Sequence, residues 1–136
     1  MTGSWSPTEV SPLALAFIGD AVWELQVRNH VLQRGLRNPK QLHHETTRYV
    51  NAGAQAYLAD LLKGELTDDE RDILRRGRNA KSAHVRKSAD VLQYRHSTGF
   101  EALLGFLYGS GQMERLNRIC ERAMELIELR RDDKTQ

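Results

Sequence analysis

The chain has 136 residues, 40% of them apolar and 28% charged, a length and balance that suit one soluble globular domain with its own core and not two. No stretch approaches the run of about 18 uninterrupted apolar residues that a membrane span needs, and residues 1–7 have neither the basic nor the apolar part of a secretory leader. The single Cys120 offers neither an internal disulfide nor a zinc cluster, and a net charge of +2 does not by itself advertise a polyanionic partner, so a cytoplasmic protein without a membrane partner is expected.

Residues 1–10 read as a loose lead-in, and residues 11–130 as the domain. Ser11-Pro12 is a helix start, an N-cap followed by proline at the first helical position. From there Leu13, Phe17, Ala21, Leu25 and Leu32 recur at helical spacing, with Ile18 and Val22 widening what should be the inward stripe, and Gly35 ends the run after Gln33. Asn38-Pro39 opens a second helix with Leu42, Thr46, Tyr49 and Val50 on its inner side. Asn51-Ala52-Gly53 bends or interrupts it, and residues 54–62 continue in helical period up to Gly64.

Thr67 and Glu70 form a capping box for a helix that carries Ile73 and Leu74 into a basic segment. Residues 71–87 hold seven cations (Arg71, Arg75, Arg76, Arg78, Lys81, Arg86, Lys87) against the single acid Asp72. That is +6 on a body left with −4, the asymmetry of a localised phosphate-binding surface. Gly77 and the polar residues 79–87 suggest a break in the helix there. Thr98 and Glu101 read as a second capping box, before Leu103, Leu104 and Leu107. After Gly109-Ser110-Gly111 a last helix shows Met113, Leu116, Ile119, Cys120, Ala123, Met124 and Ile127 on one face, and residues 131–136 form a polar tail expected to fray. No alternating run reads as a strand, so the class is all-α.

Two acids stand out. Asp20 lies inside the most apolar stretch, residues 13–23, where a carboxylate is costly to desolvate unless it is paired, hydrogen-bonded or bound to a metal; the plain alternative is an acid that surfaces at the edge of the stripe. Its neighbour Gly19 costs about 1 kcal/mol of helix propensity relative to alanine, which points to close approach of backbone or ligand. Glu101 reads first as a cap, although a cap also fixes a carboxylate's direction. Glu24, one turn beyond Asp20, is either an outer group of the same site or an ordinary surface acid. Among the basic residues Arg76, Arg78, Asn79 and Lys81 are the first candidates for phosphate contacts and Arg86 and Lys87 the next, against the reading of a solvated helix end. His30, His43, His44, His84 and His96 show no metal-ligand spacing, and Trp5 and Trp23 read as packing or dimer-surface residues.

Phe17-Ile18-Gly19-Asp20-Ala21-Val22 resembles the signature of the ribonuclease III family, and Phe100-Glu101-Ala102-Leu103-Leu104-Gly105-Phe106-Leu107-Tyr108 resembles its second motif. The resemblance implies the helical ribonuclease III endonuclease-domain fold, with Asp20 and Glu101 as catalytic metal ligands for Mg²⁺, Mn²⁺ substituting. Two further acids of the family pattern are replaced here by Ala16 and Thr98, and no α-β-β-β-α pattern of a double-stranded-RNA-binding domain follows the last helix. Those departures resemble the Mini-ribonuclease III branch, as do Arg76-Gly77-Arg78-Asn79-Ala80-Lys81-Ser82 and Tyr94-Arg95-His96-Ser97-Thr98. The branch implies a homodimer that cuts double-stranded RNA to leave 5′-phosphate and 3′-hydroxyl ends. It also implies maturation of the large-subunit (23S) ribosomal RNA precursor, with a ribosomal protein as a helper. Loss of two acids keeps one alternative open, a non-catalytic RNA-binding or ribosome-associated protein on the same fold.

Overall fold

The computed structural model describes residues 5–80 and 90–135, with side chains described as far as Arg130. Among the described residues there are six α-helices and no strand: α1 (Pro12–Gln33), α2 (Pro39–Val50), α3 (Ala52–Leu62), α4 (Asp68–Asn79), α5 (Asp90–Gly109) and α6 (Met113–Thr135), with a 3₁₀ turn at Lys63–Glu65. The all-α expectation holds.

Local chemistry sets most of the boundaries. The Ser11 hydroxyl accepts from the Ala14 amide at 3.1 Å, and Asn38 accepts from the amides of Lys40 and Gln41 at 3.0 and 3.3 Å; proline follows each cap, where its missing N–H costs nothing. Asn51 serves two helices. Its amide nitrogen donates to the Thr47 carbonyl at the end of α2, and its oxygen accepts from the Ala54 amide at the start of α3. The Thr67/Glu70 capping box is complete, at 3.2 and 2.9 Å. Buried Glu70 also takes two hydrogen bonds of 2.8 Å from Arg115, so the cap pins the start of α4 to α6. Beyond α1 the chain turns at Gly35, whose φ of +94° lies in the left-handed region that a side chain resists.

The second half of α5 is the axis of the molecule. Phe100, Ala102, Leu103, Leu104 and Leu107 are fully buried, and α1, α4 and α3 pack around it. From α1, Trp23 meets Phe100 edge-on at 5.1 Å while its indole N–H donates to the Tyr49 carbonyl at 3.0 Å, which keeps a large buried aromatic free of an unpaired donor. Both tryptophans are packing residues: Trp5 lies over Gly109.

Two sequence expectations fail, each for a physical reason, and a third is met in part. The inward face of α1 is Leu15, Ala16, Gly19, Trp23, Val27 and Val31; the stripe of Phe17, Ala21, Leu25 and Leu32 faces outward, with Phe17 82% and Leu25 70% exposed. Helix α1 is apolar nearly all round, so periodicity alone did not choose the face; backbone contact with α5 at Gly19 did. Thr98-Gly99-Phe100-Glu101 is no capping box, because α5 already starts at Asp90 and the Thr98 hydroxyl donates to the Tyr94 carbonyl inside the helix. Helix α4 runs through Gly77 and ends at Asn79, so its end falls within the stretch expected to break but not at the glycine. The missing Cβ lets α4 approach α5, since a Cβ there would lie 2.8 Å from the Gly99 Cα and 2.9 Å from the Ala102 Cβ.

Candidate active site

Helices α1 and α5 touch backbone to backbone. A Cβ on Gly19 would sit 1.7 Å from the Glu101 carbonyl oxygen, and one on Gly105 would sit 1.9 Å from the Leu15 carbonyl oxygen. These two glycines form a matched notch, and Gly19 is the close backbone approach that its poor helix propensity suggested. The notch lies beside the two acids, so Asp20 from α1 and Glu101 from α5 meet side chain to side chain. Asp20 is exposed and Glu101 partly buried.

Burial pushes the Glu101 carboxyl up to about 9, and its hydrogen bond and like charge with Asp20 push the same way. At neutral pH Glu101 therefore keeps its proton. From α3, buried Gln55 hydrogen-bonds Glu101 and works in the opposite sense, favouring the ionised form. Sequence reasoning missed Gln55. Its one signal is that it is a long polar side chain on a helix otherwise lined with Ala and Leu, Ala54, Leu58, Ala59 and Leu62 being the buried apolar residues of α3.

The basic end of α4 is fixed close by. Gly77 rests on Gly99 and Ala102, and Ala102 adjoins Glu101 in sequence. Arg76 and Arg78 flank Gly77 in the last turn, where cations favour the helix dipole. Arg76 and Asn79 are exposed, and Arg78 donates to the Asn79 side chain at 3.2 Å. Arg71 and Arg75 are instead paired with Asp68 and Asp72. Lys81, Arg86 and Lys87 lie outside the described residues.

Comparison with known proteins decides what this arrangement belongs to. The model of the Ribonuclease III domain matches residues 13–112, which includes both acids and the notch between them. The chain belongs to the ribonuclease III family. It is similar to the Mini-ribonuclease 3 of Brevibacillus brevis, 46% identical over 122 residues that cover 90% of this chain and 91% of the relative. The Mini-ribonuclease 3 of Symbiobacterium thermophilum is 47% identical over 123 residues, covering 90% and 95%. A crystal structure of a Fusobacterium nucleatum protein superposes with a TM-score of 0.77 at 31% identity, covering 86% of this chain and 93% of that one. This ribonuclease III chain is therefore an endoribonuclease, and the binding-only alternative loses its footing.

The two departures from the family's acid set are absorbed into packing. Ala16 is buried in a small apolar cluster with Leu15, Ile73 and Ala102, and Thr98 is buried with its hydroxyl committed to the Tyr94 carbonyl. Glu24 stands with Arg28 in an ion pair of 2.9 Å on the surface of α1. Among the described residues no group of three or more His, Cys, Asp or Glu side chains converges, so the carboxylates available to a cation are Asp20 and Glu101. That donor set fits Mg²⁺, a hard ion that keeps several waters and takes one or two protein carboxylates plus substrate oxygens. A cation there would offset the like charge that adds to burial in holding the Glu101 carboxyl up.

Proposed function

We propose that the protein cuts double-stranded RNA in the maturation of the large-subunit (23S) ribosomal RNA precursor, with Asp20 and Glu101 holding Mg²⁺, or Mn²⁺ in its place. The observation that carries the reading is the meeting of these two carboxylates over the Gly19–Gly105 notch. When bound there, a divalent cation supplies Lewis-acid polarisation and nucleophile activation at neutral pH. The protein's own part is positioning. Glu101 gives up its proton to become a ligand, Gln55 holds the ionised carboxylate in place, and the rigid helix contact keeps Asp20 at a constant distance from it. The products carry 5′-phosphate and 3′-hydroxyl ends.

Arg76, Arg78, Asn79, Lys81, Arg86 and Lys87 are the RNA-binding set. A-form duplex is recognised mainly through its phosphates and 2′-hydroxyls, and arginine and lysine supply charge-assisted hydrogen bonds to phosphate. The enzyme works as a homodimer, because one Asp20/Glu101 pair serves one strand. The exposed apolar row Phe17, Ala21 and Leu25 on α1, flanking Asp20, supports a second copy of the chain on that side. A cytoplasmic location and a ribosomal protein helper complete the reading; no helix among the described residues is long and apolar enough to cross a membrane.

The test is incubation with a duplex RNA with and without Mg²⁺. Wild type cleaves only with the metal, and Asp20→Asn and Glu101→Gln bind the duplex without cutting it. Cleavage at the wild-type rate by either variant refutes that residue's role.

A further inference from the structure

A second polar feature lies away from the carboxylate pair. A cavity of about 210 Å³ opens between α3, the 3₁₀ turn, α4 and α5; Lys63, Arg71, Arg75, Arg78 and His96 line it, and most of its surface is apolar, so the polar ends that reach it are few. Its apolar floor is Ala59 and Leu74. Residues 71, 75 and 78 are spaced so that three arginines stand on one face of α4, while Arg76 falls about 100° further round the helix. The basic segment is thus divided between two surfaces.

The acids near this cavity are each engaged by the cation three residues on. Asp60 stands 3.8 Å from Lys63, and Asp68 and Asp72 pair with Arg71 and Arg75. Asp60 and Asp68 are largely in solvent, 76% and 95% exposed in their side chains, and do not line the cavity. Arg78 makes no ion pair among the described residues; its contact is the neutral Asn79 oxygen. His96 completes the ring as a partly buried imidazole. Burial, then Lys63 and Arg78, hold it below its ordinary range, with Asp60 the one opposing charge. At pH 7 it is therefore a neutral imidazole with an N–H to donate, in the field of Lys63 and Arg78.

We propose that this cavity is an oxyanion subsite in which Lys63, Arg78 and the His96 N–H bind one phosphate group. An oxyanion between Lys63 and Arg78 offsets their repulsion, and the apolar floor strengthens each contact by lowering the local dielectric. That the oxyanion is a backbone phosphate of the substrate rests on the nuclease reading. Both sites share α3 and α5 as walls: Ala59 is one turn beyond Gln55, and His96 precedes Glu101 by about 7.5 Å of helix rise. The same five-residue step turns the helix about 140° beyond one full turn, so the two side chains leave α5 on different sides, and the RNA arm of the test below decides whether one strand reaches both.

Anion binding must raise the His96 pKa, so binding takes up a proton and tightens as pH falls. Between the bound and the free midpoint the affinity changes by up to about tenfold per pH unit. Sulfate is the probe, because it stays a dianion across this range. The His96 ring resonances, assigned by comparison with His96→Gln, are titrated from pH 5 to 8 in sodium sulfate and in sodium chloride at equal ionic strength. The expected result is a higher His96 midpoint in sulfate and a several-fold loss of sulfate affinity in Arg78→Gln, with Arg78→Lys retaining more. Identical wild-type midpoints in the two salts overturn the proposal, whatever the variants do. A second arm adds uncut duplex RNA to Asp20→Asn protein. Displacement of sulfate from His96 assigns the site to the substrate strand. Sulfate binding that RNA leaves untouched overturns the substrate assignment and identifies a site for a free oxyanion, while cleavage by wild type keeps the nuclease reading standing.

Discussion

Replacing Gly19 with alanine tests the helix notch directly. The added Cβ would stand 1.7 Å from the Glu101 carbonyl oxygen, 2.6 Å from its carbonyl carbon and 3.0 Å from the Gly105 nitrogen. All three are backbone atoms of a central helix, so no side chain is able to swing aside. Ordinary contact begins near 3.4 Å, so α1 and α5 must part by well over an ångström across an interface that also holds Leu15, Trp23 and Phe100. Overpacking of this kind costs about 1–3 kcal/mol and sometimes more, and the upper end is expected where backbone meets backbone. The same shift separates Asp20 from Glu101, and a misplacement of about 1 Å at reacting groups costs on the order of 100-fold in rate. Urea unfolding of Gly19→Ala should show a midpoint lowered by the equivalent of about 3 kcal/mol at unchanged slope, and single-turnover cleavage of a duplex should fall about 100-fold. Gly64→Ala is the control, since nothing lies within 4 Å of its Cβ position, and its stability should stay within about 0.5 kcal/mol of wild type. A Gly19→Ala protein with wild-type midpoint and wild-type rate would refute the notch and its role in positioning the acids.

The carboxylate pair predicts a pH effect of definite sign. With Glu101 raised from 4.5 to about 9, its contribution to the metal-free fold is complete below pH 4.5 and fades as pH rises through 9; Glu101→Gln should flatten that part of the stability profile. Mg²⁺ binding near pH 7 should release close to one proton per site, read by calorimetry in buffers of different ionisation enthalpy, and no release would mean that Glu101 is not a ligand. Glu70 behaves in the opposite way: Arg115 holds its carboxyl below the usual range, so its contribution is present above pH 4.5 and lost as pH falls through the lowered value. Glu70→Ala removes the cap and strands Arg115, at a cost of about 3 kcal/mol by urea unfolding. Phe17→Glu should leave the monomer fold intact, because the side chain is 82% exposed, yet shift sedimentation toward monomer; an unchanged dimer would place the interface elsewhere. Arg76→Ala should lower the slope of log affinity against log salt by about one unit on any duplex.

Element existence and most boundaries were legible because they depend on short-range chemistry. Ser11-Pro12, Asn38-Pro39 and the Thr67/Glu70 box act within four residues, and each is made as its sequence implies. Both acids drew notice in the sequence, Glu101 through its motif and Asp20 by its charge in an apolar run, although Asp20 is exposed, as its plain alternative had it. What was not legible depends on partners far along the chain. A helix that is apolar on two sides has two equally good stripes, and only the Gly105 gap on α5 decides that Leu15, Gly19 and Trp23 turn inward while Phe17 and Leu25 turn out. Thr98-x-x-Glu101 has the spacing of a cap, but a cap needs a helix end, and continuous helical backbone from Asp90 removes it. Gln55 illustrates the same limit at the site. It lies 46 positions from Glu101 in the chain and carries a common side chain, so its role exists only once α3 and α5 are packed. The charge asymmetry of residues 71–87 was also visible, but as a single patch. Helical phase separates Arg76 from the Arg71, Arg75 and Arg78 face, and the fold then adds Lys63 and His96 to that face from outside the segment. A count of charges along a sequence therefore locates a basic segment, whereas the surfaces it serves are set by which side of α4 each arginine leaves.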